Sequence, residues 1–124
     1  MTLDKTNTID WLGIERSTGY ARLTVVDDWD WTSERVHVVQ LQDKLNTYLA
    51  FVESGEVYAR IEEEIGRAVS RDSPVVIAIL GKHKMTPYGE RFLEHATNAF
   101  RQAGHILLYR LVLPAEDDGS DYGA

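Results

Sequence analysis

The sequence predicts an α+β domain: a four-stranded mixed sheet in the order β-β-α-(short α)-β-α-β, with its two main helices predominantly on one face. Three observations carry that prediction. From Trp31 to Gly55 (WTSERVHVVQLQDKLNTYLAFVESG), Val38, Leu41, Leu45, Tyr48, Leu49 and Val52 recur at three- and four-residue spacing, the buried stripe of one long amphipathic helix. Before it, Ala21, Leu23 and Val25 alternate with Arg22, Thr24 and Val26, the period of a strand with one apolar face. After it, Val75 to Leu80 is short, β-branched and apolar on both faces, as in a central strand covered on both sides.

Taken in order, residues 1–8 form a polar arm expected to be flexible, and residues 9–113 form a single domain. Ile9 to Arg16 and Tyr20 to Asp27 flank Ser17-Thr18-Gly19, a short turn, and so predict a β-hairpin. Asp27-Asp28-Trp29-Asp30-Trp31 joins the second strand to the long helix in very few residues. Thr32 or Ser33 is placed to cap that helix with Glu34 in its first turn, and Gly55 to close it. Glu56 to Val69 suits a short helix with Val57, Ile61, Ile65 and Ala68 inward and Glu62, Glu63 and Glu64 outward, although Gly66 weakens it. Ser70 to Pro74 breaks the chain before the central strand. Thr86-Pro87 starts a second main helix that runs through Gln102, with Phe92, Leu93, Ala96, Ala99, Phe100 and Ala103 on one face and Gly104 at its end. His105 to Leu113 is the last strand. Residues 114–124 are small and acidic and are expected to be disordered.

The last two strands appear apolar on both faces, so the face away from the main helices needs cover. The segment Val57 to Val69, the N-terminal arm and a second copy of the chain are the three candidates, the last making a homodimer.

Composition narrows the function classes. Cysteine is absent, which excludes disulfides, thiol catalysis and cysteine-ligated zinc. No run approaches the roughly 18 apolar residues of a membrane span, and the first ten residues do not read as a secretory signal, so a cytoplasmic protein with no membrane association is expected. The net charge is -7, of which Glu116, Asp117, Asp118 and Asp121 supply -4 and the remainder -3. Acidity argues against nonspecific nucleic-acid binding, which needs clustered Lys and Arg.

Candidate chemistry is sparse. Lys82, His83 and Lys84 form a compact basic patch directly after the central strand, where open sheets place ligands, and the free N–H groups near Thr86 and Pro87 could join them in holding an anion. The stretch GKHKMTP lacks the glycine spacing of nucleotide-binding loops. Gln40, Asp43, Lys44, Asn46 and Thr47 give the long helix an exposed side rich in short polar groups that could bind a small polar ligand; solvation explains the same composition. Asp27, Asp28 and Asp30 gather three carboxylates beside Trp29 and Trp31. They lack the calcium-loop pattern and read better as helix-capping groups, with one or both tryptophans closing the core, so neither a metal nor a cofactor is expected. His37, His83, His95 and His105 are scattered and assign to helix surface, loop or strand entry. No serine sits in the glycine-flanked elbow of a hydrolase, and no catalytic residue is assigned.

The stretches LQDKLNTYLAFVESGEVY (41–58), VVDDWDW before it and VVIAILGKHKMTPYGERFLEHA after it resemble a bacterial family of small uncharacterised α+β proteins. The resemblance spans about Ile9 to Val112 and supports the element order. It implies no catalytic residues. Two functions stand against each other: a non-catalytic binding or protein-interaction domain, including an acidic antitoxin-like or immunity-like protein, and a small-ligand enzyme with its site near His83; a structural or oligomeric role is the third.

Overall fold

The computed structural model describes Ile9 and residues 11–112. The arm at 1–8, the tail at 114–124 and the predicted end of the last strand at Leu113 lie outside the described residues. Strand β1 (Trp11–Ile14) and strand β2 (Ala21–Asp27) form the hairpin; helix α1 (Glu34–Glu53) and helix α2 (Glu56–Ile65) follow; then come strand β3 (Val76–Gly81), helix α3 (Pro87–Gln102) and strand β4 (Ile106–Leu111). The described sheet has the order β1-β2-β3-β4, antiparallel between β1 and β2 and parallel in the other two pairs. The predicted architecture is therefore the observed one.

Both parallel connections step in the same direction across the sheet, so connections of one hand place their helices on one side. All three helices contribute to a single core. Leu23, Val25, Ile77, Ile79 and Leu107 from the sheet's inner face pack with Leu41, Leu45 and Tyr48 of α1, Val57 and Ile61 of α2, and Phe100 of α3. Helix α2 thus belongs to the same layer as the main helices and does not cover the opposite face. It is also shorter than predicted: it ends at Ile65 because Gly66 follows in the left-handed conformation (φ 72°), which leaves Ala68 outside the helix.

Capping follows the expected chemistry at α3, where the Thr86 hydroxyl accepts the Gly89 N–H at 3.3 Å and Pro87 occupies the first turn. At α1, Ser33 is the capping residue by position, but its side chain makes no capping hydrogen bond. The stripe of α1 is broader than the apolar residues alone suggest. His37 and Lys44 are buried along with Val38, Leu41, Leu45, Tyr48, Phe51 and Val52, whereas Val36 and Val39 face outward. Lys44 therefore does not belong to the exposed polar side expected for it. Its ammonium lies 5.5 Å from the centre of the Tyr48 ring, a cation–π contact, and burial of its stem adds apolar contact area.

His105, just before β4, accepts the Val75 N–H on Nδ1 at 3.1 Å. That bond requires the nitrogen to be unprotonated, and burial pushes the imidazole below its usual 6.5, with the Glu53 charge opposing in part. A lowered folded-state value means that the stabilisation is present above 6.5 and is lost as pH falls through the folded value. The expected outcome is that urea stability drops between neutral pH and pH about 5, and that His105→Asn, which keeps an acceptor but takes no proton, shows a smaller drop. Equal pH profiles for the two proteins would contradict this account.

Candidate functional site

The carboxyl ends of β2 and β3 lie side by side, with Asp27 opposite Gly81 and the Lys82 N–H donated to the Asp27 carbonyl at 2.9 Å. Ligands of open parallel sheets are commonly found at such an edge, and it is where the most unusual local sequence falls. The three carboxylates of the Asp27–Trp31 stretch separate there. The Asp27 side chain turns inward and is 1% exposed, whereas Asp28 and Asp30 are on the surface. One Asp27 oxygen accepts the Trp29 N–H at 3.2 Å. The Asp30 carboxylate accepts both the N–H and the hydroxyl of Thr32; these bonds lead the causes that hold it below its usual 3.8, with smaller help from the charges of His83 and His37. Among the described residues no group of three or more His, Asp or Glu side chains is arranged to hold a metal ion.

His37 organises this edge, contrary to its expected place on the helix surface. From the first turn of α1 its Nε2 meets the Asp27 carboxylate at 2.6 Å, and both side chains are 1% exposed. Its Nδ1 lies 2.9 Å from the Asp30 carbonyl. A carbonyl only accepts, so Nδ1 carries a proton. The Nε2–Oδ2 bond holds one more, and the pair has zero net charge whichever partner keeps it. Trp31 stacks on the imidazole with centroids 3.6 Å apart and planes at 17°, and Trp29 flanks it at 5.7 Å. The indole Nε1 of Trp31 is buried with no hydrogen-bond partner, a cost of about 1–3 kcal/mol that the ring's burial and stacking offset. An acid–base pair sealed in this way can orient the loop, but substrate cannot reach it.

Tyr109 of β4 closes the neighbouring loop. Its hydroxyl donates to the His83 carbonyl at 3.2 Å, and burial, followed by the nearby Asp27 charge, pushes the phenol up to about 12. Lys82 is half-buried, and His83 and Lys84 are exposed. The structure thus keeps the predicted basic patch together at the sheet edge. The adjoining start of α3 is already capped by Thr86. Gln40, half-buried, and Asp43, exposed, sit on α1. None of these five residues lines the larger cavities. Those include clefts of about 520 and 590 Å³ that contain Arg60 and Arg71 respectively, a hollow of about 290 Å³ at Thr32 to Val36, and a groove of about 260 Å³ between α1 and α3, walled by Leu45, Leu49, Phe92 and Phe100. No helix among the described residues is long and apolar enough to cross a membrane.

The signal for His37 was available in its spacing: residues 37, 41, 44, 48 and 51 share one helical face, so a histidine there is a buried histidine. That its partner is Asp27 could not be read from spacing, because the loop between them sets the approach.

Two substitutions test this edge. A methyl group at Gly89 would lie 2.8 Å from the Trp31 ring. Gly89→Ala should therefore be destabilising, because overpacking at about 1–3 kcal/mol outweighs the gain of up to about 1 kcal/mol from helix propensity; a raised melting temperature would refute the contact. His37→Ala strands the Asp27 carboxyl and should cost about 3–5 kcal/mol in urea unfolding. Adding Asp27→Asn should then cost less than it does in the parent protein, the coupling expected of a direct pair.

Comparison with known proteins gives one match. A family model described as a family of unknown function, DUF6572, matches residues 1–112. No curated protein and no solved structure matches the chain.

Proposed function

The chain belongs to the DUF6572 family, whose function is unknown, and from that premise we propose that it is a non-catalytic protein-interaction domain whose contact surface is the outer face of its sheet. The observation that carries this reading is the layer arrangement. With α1, α2 and α3 all packed on the inner face, the outer face presents Trp11 on β1 and Ile106 and Leu108 on β4, which are 52%, 41% and 37% exposed, while Val76 and Ala78 between them are 3% and 0% exposed. These residues take no part in the core cluster. Large apolar side chains exposed on one sheet face are candidate contact points for a partner.

The competing reading, a small-ligand enzyme at His83, has less support. The acid–base pair nearest that loop is enclosed, and the carboxylate near His83 is that of Asp30 on the surface. Within this reading the setting is bacterial, as the family resemblance implies, and cytoplasmic.

The reading requires Trp11, Ile106 and Leu108 to be open to solvent in a single chain. Carbene labelling at a dilution where the protein sediments as one chain should modify Trp11, Ile106 and Leu108 much more than Ile79 and Leu107. Equal protection of both sets would mean that the chain covers the face itself, and the reading would fall.

A further inference from the structure

We propose that the groove between α1 and α3 is a binding site for a small uncharged molecule built on an apolar ring, with a hydrogen-bonding group on one edge. The site lies on the helical layer and stands apart from the interaction reading above. Near their first turns the two helices are bridged by Arg35, which lies over the Tyr88 ring at 5.6 Å. Further along, α3 turns Ala96 and Ala99 towards α1, and side chains of one carbon leave between the helices the hollow of about 260 Å³.

Its floor and walls are hydrocarbon and aromatic. Leu45 and Phe100, 2% and 3% exposed, form the bottom, and Leu49 and Phe92, both half-buried, form the sides. Water below the rim has few polar partners there, so an apolar ring gains by displacing it. A cavity of about 150 Å³ lined by similar residue types takes benzene, and the larger volume here fits one or two fused rings. A helix, about 10–12 Å across with its side chains, is too wide for it.

The rim supplies direction. Gln42 and Asn46, one turn apart on α1, and His95 of α3 are exposed at the mouth, and neutral side chains of these types both donate and accept hydrogen bonds. Among the described residues no Asp, Glu, Lys or Arg lines the groove, whereas the clefts of about 520 and 590 Å³ contain Arg60 and Arg71. Charge therefore separates the sites: an anion is drawn to an arginine cleft and an uncharged ring to the groove. An apolar wall with a few converging polar groups is the usual composition of a small-molecule pocket.

Indole, with two fused rings and one N–H, is the probe. Titrated into the full chain at about pH 8, where histidine is ordinarily neutral, and followed by amide and methyl NMR, it should saturate with a Kd on the order of 0.1–1 mM. The largest ring-current shifts should fall on Leu45, Leu49, Ala96 and Ala99. Indole-3-carboxylate should bind at least about five-fold more weakly, because its charge loses water at a rim without cations and the chain carries a net charge of -7. Ala99 is exposed, so Ala99→Trp should keep the circular dichroism spectrum of the parent, fill the groove with its own indole and weaken the probe at least about ten-fold. Arg60→Gln and Arg71→Gln should bind indole as the parent does. A titration still unsaturated at about 10 mM, shifts centred on Arg60 or Arg71, tighter binding of the carboxylate, or equal affinity in Ala99→Trp would each overturn the inference. Should Ala99→Trp fail to fold, the location of the shifts in the parent decides alone. None of these results bears on labelling of the sheet face, so the two readings fail separately.

Discussion

The buried bond between His37 and Asp27 sets the geometry on which the rest of the chain depends. It ties the last residue of β2 to the first turn of α1 across a loop of only a few residues, and so fixes the angle at which the longest helix crosses the sheet. Trp31 can stack on the imidazole only because that ring is held from both nitrogens, and α3 can approach Trp31 only because Gly89 has no side chain. Withdrawing a carboxyl and an imidazole from water is costly, and the bond between them does little more than offset that loss. Its effect is therefore on specificity of arrangement more than on total stability.

With α1 placed in this way, the layering follows from topology. The sheet grows in one direction from β2 to β4, and each connection returns over the same side, so the three helices of the described residues share a face. The inner residues alternate with the outer ones in every strand. An apolar β3 has Ile77 and Ile79 inward against the helices and Val76 and Ala78 outward, and all four are buried. At the sheet edge Asp27 and His37 are turned inward and held in structural hydrogen bonds, whereas Asp28, Asp30, His83 and Lys84 stay on the surface.

Much of the fold was legible in the chain itself, for reasons that operate over a few residues. Alternation in Ala21–Val25, the stripe of α1, and the Thr86-Pro87 start of α3 are local patterns, and each forms the element it predicts. The places that misread share one cause. Lys44 and His37 are polar by type but occupy stripe positions, and position prevailed because a lysine stem is largely hydrocarbon and an imidazole can be satisfied by partners. The end of α2 moved inward because one glycine in the left-handed conformation terminates a helix that its apolar spacing would have extended.

The candidate site divides along the same line. Sequence alone was sufficient for the element order, the mixed four-stranded sheet, the lack of thiol chemistry, and the position of Lys82, His83 and Lys84 beyond a central strand. Those properties depend on composition and on periodicity within a segment. Only the tertiary structure decided that Asp27 faces His37, that Tyr109 reaches the His83 carbonyl, and that α2 joins the helical layer. Each of these is a relation between residues distant in sequence, and the relative placement of whole elements, which no local pattern contains, determines it.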